Sequence, residues 1–152
     1  MKLRRLEELP TLLKGRTVVL ANGCFDILHV GHVRYLEAAR SAGDALAVAL
    51  NSDASVRQLK GEGRPVNLQD DRAEILAALA CVDFVTIFDE ERVTRLIDQV
   101  RPMVYVKGGD YQLETLDHGE REALARCGAE ILLVPMVPGR STTRLIEALR
   151  GS

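Results

Sequence analysis

Nowhere in its 152 residues does this chain hold the run of about 18 apolar residues that crossing a bilayer requires, so no membrane-spanning helix is expected. Met1 to Gly15 intersperses Arg4, Arg5, Glu7 and Glu8 among leucines and lacks the unbroken apolar core of a secretory signal. A cytoplasmic location is the expectation. Cysteine is scarce: Cys24, Cys81 and Cys127 are scattered and odd in number, without CxxC or Cys/His ligand spacing. That excludes a disulfide framework and a structural zinc site, and leaves Cys81 and Cys127 as small apolar groups. A basic excess is also missing. Lys+Arg number 20 against 22 Asp+Glu, giving a formal charge of −2 with no basic stripe, which argues against a nucleic-acid partner. Nor is there a GxGxxG fingerprint, which counts against a dehydrogenase.

What is present is an alternation of strand and helix. With 47% hydrophobic residues the chain can fill one core, and residues 1–152 read as a single domain with a helical N-terminal extension over 1–15. Short β-branched or apolar runs at Thr17–Ala21, Asp44–Asn51, Asp83–Phe88, Met103–Val106 and Glu130–Val134 read as five strands. Helical patterns fall at His32–Ala42, Gln69–Ala80, Asp89–Val100, Glu120–Cys127 and Thr142–Leu149. In the second of these Ile75, Leu76 and Leu79 share one apolar face; in the third Val93, Leu96, Ile97 and Val100 do. Such βαβ units predict an α/β, doubly wound, parallel five-stranded sheet of Rossmann-like kind. Ligands then bind outside the carboxyl ends of the strands, where strand order reverses.

The loop after the first strand is the most informative. Asn22–His32 reads NGCFDILHVGH, with His29 and His32 three apart and Gly31 between them at the mouth of a helix. Both rings fall on one side of the first turn, beside unpaired backbone N–H groups and the positive end of the helix dipole. That is a place for phosphate. Gly31 and Gly23 permit close approach of a ligand to the backbone. Zinc is disfavoured for want of a third ligand at suitable spacing. In the next loop, Asn51–Asn67, Lys60 and Arg64 accompany the glycines of GEGRP, and a cation on such a loop could close over a polyphosphate. Arg72 shares the core-facing stripe of Leu76 and Leu79; as a guanidinium in a first helical turn it points into the ligand crevice or enters an internal salt bridge. Lys107–Tyr111 (KGGDY) offers two glycines, one of them Gly109, and Asp110 as acceptor for a ribose diol. Ser141, Thr142 and Thr143 open the last helix, where N-capping and phosphate binding are both served.

NGCFDILHVGH resembles the (T/N)GxFDxxHxGH signature of the cytidylyltransferase-like nucleotidyltransferases. The resemblance implies that His29 and His32 hold the nucleotide phosphates and stabilise charge at the α-phosphate, that Arg72 contacts phosphate, and that Ser141–Thr143 bind the triphosphate. Asn22, Gly23, Cys24, Phe25, Gly31, Gly109 and Asp110 are then nucleotide-binding, with Lys60 and Arg72 joining the histidines as catalytic groups. Cys24 occupies a variable position of the signature and is not expected to act as a thiol, and Asp26 is expected to organise the loop. ANGCFDILHVGH, ALNSDASVRQLKG, RPVN, VKGGDY and STT follow the order found in the adenylyltransferase domains of ADP-heptose synthases. That resemblance implies ATP and D-glycero-β-D-manno-heptose 1-phosphate as substrates, with ADP-heptose and pyrophosphate as products, serving lipopolysaccharide or other surface polysaccharides. Mg²⁺ is expected on the phosphates without a dedicated protein site. A separate sugar kinase upstream is expected, and a homodimer is compatible with the sequence. A cytidylyltransferase acting on glycerol 3-phosphate is the first alternative, weakened because Met136 stands where those enzymes carry an Arg five residues before the STT serine. The second is a nucleotide-sensing module without chemistry.

Overall fold

The structure, a computed structural model, describes residues 1–108, 115–135 and 137–151. Five parallel strands run β1 (Val18–Gly23), β2 (Ala45–Asn51), β3 (Phe84–Phe88), β4 (Val104–Gly108) and β5 (Glu130–Val134), in the spatial order β3-β2-β1-β4-β5. Strand order reverses between β1 and β4, so the doubly wound architecture expected from the sequence is the one observed. A sheet covered on both faces needs strands apolar on both sides, and β2 meets this along its full length, every residue being buried. Ala45, Ala47 and Ala49 face one layer, with Leu20 and Tyr105, under α1 (Leu9–Leu12), α5 (Thr94–Val100) and α6 (His118–Cys127). Leu46, Val48 and Leu50 face the other, under α2 (Val30–Ser41) and α4 (Gln69–Ala77). The N-terminal segment belongs to the first layer: after a 3₁₀ turn at Leu6–Glu8, the residues Leu6, Leu9 and Leu13 are buried in that core, and Leu3 bridges to Val85.

Three elements depart from the sequence reading. The segment Asn51–Asn67 contains a helix, α3 (Asp53–Lys60), capped by the hydroxyl of Ser52, which accepts from Ser55 N at 3.2 Å. The expected helix over Asp89–Val100 begins only at Thr94, leaving 89–93 as a loop on the strand's carboxyl side. Within α4 the buried stripe is Arg72, Ala73 and Leu76, while Ile75, one step of about 100° away from Leu76, is 43% exposed. The last helix, α7 (Thr142–Arg150), starts at the same carboxyl edge as α2. Among the described residues no helix is long and apolar enough to cross a membrane.

Candidate active site

The carboxyl ends of β1, β2, β4 and β5 open into one crevice of about 580 Å³, within the range of small-ligand pockets. It gathers Asn22, Gly23, Cys24, Phe25, His29, Gly31, His32, Lys60, Ser141, Thr142 and Thr143, all of them site residues expected from the sequence. Gly109 and Asp110 lie outside the described residues, as does Met136.

The two histidines are fixed by the backbone they cap. His29 is the N-cap of α2: its Nδ1 accepts from Gly31 N at 3.1 Å, while His32 Nδ1 accepts from the backbone N of His29 at 3.3 Å. The pair forms a reciprocal capping arrangement with imidazoles in place of the usual serine and glutamate. The rings stack, centroids 3.9 Å apart. An Nδ1 that accepts a backbone N–H carries no proton, so in both neutral rings the proton sits on Nε2. Two Nε2–H donors are thus carried on neighbouring rings inclined by 29°. Burial, and then the neighbouring Arg140, hold the His29 pKa below its ordinary value; burial, and then His29, push that of His32 down to about 4. Both imidazoles are neutral donors at pH 7.

The glycines serve this arrangement more than they serve a ligand. A Cβ on Gly31 would meet His29 Cε1 at 2.8 Å and Nδ1 at 2.9 Å, and one on Gly23 would meet the Phe25 ring at 2.9 Å. At these two positions, expected to admit a ligand, protein rings lie against the backbone. Phe25 itself sits at φ 44°, a left-handed conformation strained for an aromatic residue, and its ring packs edge-on against His32 at 5.3 Å. That strain marks the loop as a place where geometry outweighs local cost.

Arg72 is placed otherwise than the phosphate-contact reading requires. It is 1% exposed, does not line the crevice, and donates to Asn67 O (2.9 Å), Cys24 O (2.7 Å), Asn51 O (2.8 Å) and Asp53 Oδ1 (2.8 Å). The internal salt bridge is the alternative that the structure adopts. The physical reason is local: the ends of β1 and β2 leave carbonyls without ladder partners, and a buried guanidinium with five donors satisfies them. Arg72 therefore ties together the loops that carry Cys24 and Asn51 from behind the crevice. Asp26 organises its loop as expected. Buried at 3% exposure, it accepts from Arg64 Nε (2.8 Å), Val66 N (2.9 Å) and Asn67 N (2.9 Å). Burial alone raises its pKa, but these hydrogen bonds outweigh burial and hold the carboxyl below its ordinary value.

The start of α7 lines the crevice. Ser141 caps it, its hydroxyl accepting from Arg144 N at 3.0 Å, and Thr142 Oγ1 donates to Ile27 O at 2.8 Å, fastening α7 to the histidine loop. The crevice also holds residues that sequence reasoning did not single out, among them Tyr35, Lys107, Glu120 and Arg140. Tyr35 donates to Val106 O at 3.0 Å, and burial pushes the Lys107 ammonium pKa down. For Lys107 a signal existed, since it ends a strand at the sheet's carboxyl edge. Glu120 and Arg140 had none. Cys24 stands among Lys60, Arg64 and Arg72, but burial is the larger influence and raises its thiol pKa, so no reactive thiolate is indicated.

The chain is 54% identical over 136 residues to the bifunctional protein HldE of Geobacter sulfurreducens, covering 90% of this chain and 27% of that protein. To HldE of Syntrophotalea carbinolica it is 49% identical over 153 residues, covering 97% and 31%. It thus spans less than a third of the length of these relatives. Among solved structures, a lipopolysaccharide core biosynthesis protein from Thermoplasma volcanium superposes with TM-score 0.66 at 27% identity, covering 81% of this chain and 98% of that one. A pantothenate synthetase from Thermus thermophilus, TM-score 0.60 at 19% identity over 90% of this chain and 62% of that one, shares the fold. The cytidylyltransferase-like family model matches residues 20–148, and the chain belongs to that family of nucleotidyltransferases.

Proposed function

We propose that this chain transfers the adenylyl group of ATP to D-glycero-β-D-manno-heptose 1-phosphate, giving ADP-heptose and pyrophosphate. The observation that carries the chemistry is the stacked pair His29 and His32, both Nε2–H donors, beside the capped start of α7. The choice of substrates rests on the motif order described above and on relatives of about half identity. A lipopolysaccharide core biosynthesis protein among the structural neighbours fits the same reading.

An oxygen of the sugar phosphate attacks the α-phosphorus in line; the bond from that phosphorus to the β-phosphate oxygen breaks, and pyrophosphate leaves with the electron pair. The attacking phosphate is already ionised, so no side chain has to remove a proton. Catalysis comes from positioning and from hydrogen bonds that meet the charge gathering at the α-phosphate. His29 and His32 supply neutral donors there, Lys60 adds positive charge, and Ser141, Thr142 and Thr143 at the start of α7 face the departing pyrophosphate. Magnesium carried on the phosphates of ATP would offset their charge. Among the described residues no group of three His, Cys, Asp or Glu side chains could hold a metal ion, and we assign it no step at a protein ligand. We place the reaction in the cytoplasm, where ATP is supplied, downstream of a sugar kinase.

Pyrophosphate release measured with ATP, CTP and GTP against heptose 1-phosphate and glycerol 3-phosphate tests the reading. Turnover is expected with ATP and heptose 1-phosphate. Turnover confined to CTP with glycerol 3-phosphate would refute it.

A further inference from the structure

In-line displacement divides such a site into two flanks, because the leaving pyrophosphate and the incoming oxygen lie on opposite sides of the α-phosphorus. The crevice has two such flanks, set by the sheet order, with β2 and β3 on one side of β1 and β4 and β5 on the other. On the β5 side α7 begins against His29: the Cβ of Arg140 lies 3.6 Å from where a Cβ on Gly31 would stand, and Thr142 is bonded to Ile27. Arg64 lines the crevice from the segment that follows β2 and α3 in the chain.

The way Arg64 is held is informative. Its Nε donates to Asp26 Oδ2 at 2.8 Å, while Nη1 and Nη2 have no hydrogen-bond partner among the described residues, although the side chain is only 16% exposed. A surface pair in the same molecule is built differently: Arg126 engages Asp98 through both Nε and Nη2. Asp26 cannot turn to offer Arg64 a second oxygen freely, since Val66 N and Asn67 N hold both oxygens in place and Asn67 Nδ2 donates back to Asp26 O at 2.8 Å. The guanidinium of this crevice-lining residue is therefore pinned at its inner nitrogen, which leaves its two outer nitrogens to a ligand. A fixed planar fork of that kind matches two oxygens of one phosphate.

We propose that Arg64 grips the phosphate of the acceptor on the β2 flank, opposite the pyrophosphate at α7, and that Asp26 is its positioning residue. The proposal rests on the adenylyl-transfer reading and adds the acceptor subsite to it.

Independent variation of ATP and acceptor in a pyrophosphate-release assay, with calorimetry for ATP alone, separates the flanks. Arg64→Ala is expected to raise the acceptor KM about 10- to 100-fold, the loss typical of hydrogen bonds to a charged group, while the Kd for ATP moves less than about threefold. Asp26→Asn, of the same shape, should raise the acceptor KM in the same direction without weakening ATP, and Arg64→Lys should fall between wild type and Arg64→Ala. Should Arg64→Ala fail to fold, the other two variants carry the test. An ATP affinity that falls in step with the acceptor KM, or an acceptor KM that does not move, overturns the assignment. The wild-type arm tests the acceptor's identity separately. If a different sugar phosphate turns over, the heptose reading falls, and the same split measured with that phosphate decides the role of Arg64.

Discussion

Replacing Arg72 by alanine removes one guanidinium from four acceptors, the carbonyls of Cys24, Asn51 and Asn67 and the carboxylate of Asp53. The Arg72 side chain is fully buried and that of Asp53 is 23% exposed, so the orphaned carboxylate regains some water while the carbonyls regain little. Breaking a buried ion pair from one side costs about 3–5 kcal/mol, and the partial exposure of Asp53 places this case near about 3–4 kcal/mol. For a domain of this size that lowers Tm by about 6–16 °C. Scanning calorimetry and urea titration, with an unchanged m value, would read it directly. Arg72→Lys, which keeps charge and fewer donors, should fall between. Activity should decline only as folded protein is lost, since the residue stands behind the site. Should Arg72→Ala keep its Tm within about 2 °C while kcat drops a hundredfold, the clamp is wrong and the residue reaches the phosphate after all.

Two further predictions concern the imidazoles. Because the folded His32 pKa is about 4, below the unfolded value of about 6.5, the unfolded chain binds more protons between these limits. The stabilising effect is fully present above about pH 6.5 and is lost as pH falls toward about 4; His29, also lowered, acts in the same direction. Thermal melts across pH 4–8 should show it, and stability unchanged over that window would contradict neutral rings. Gly31→Ala places a Cβ 2.8 Å from the His29 ring and should swing that ring aside, lowering kcat about a hundredfold at little cost to Tm. A variant with wild-type kcat would show that the ring position is unimportant.

Much of the fold was legible because strands buried on both faces must be apolar throughout, and TVVLA and DALAVALN declare that in one dimension. The histidine loop was equally plain, since its spacing and its place after the first strand sufficed. Helix α3 stayed hidden because DASVRQLK is polar, with Ser55 and Val56 its buried residues, and its start depends on a serine cap among loop-like residues. For Arg72 the apolar stripe disclosed burial correctly. It did not disclose the destination, because three of the four acceptors are carbonyls from the loop after β1, the end of β2 and the loop before α4, and a carbonyl leaves no mark in a sequence. Gly23 and Gly31 showed the same limit: they read as room for a ligand, and the rings of Phe25 and His29 that lie there are a tertiary outcome.

The proposed transfer depends on two imidazoles that offer Nε2–H to a triphosphate. Nitrogen NMR of ¹⁵N-histidine-labelled protein, titrated with magnesium and ATP at pH 7, observes those atoms themselves. The expected result is two neutral Nε2–H tautomers in the free protein, both moving on saturation with ATP. Resonances of His29 and His32 that stay still at saturating ATP, or that report Nδ1–H tautomers, would contradict it.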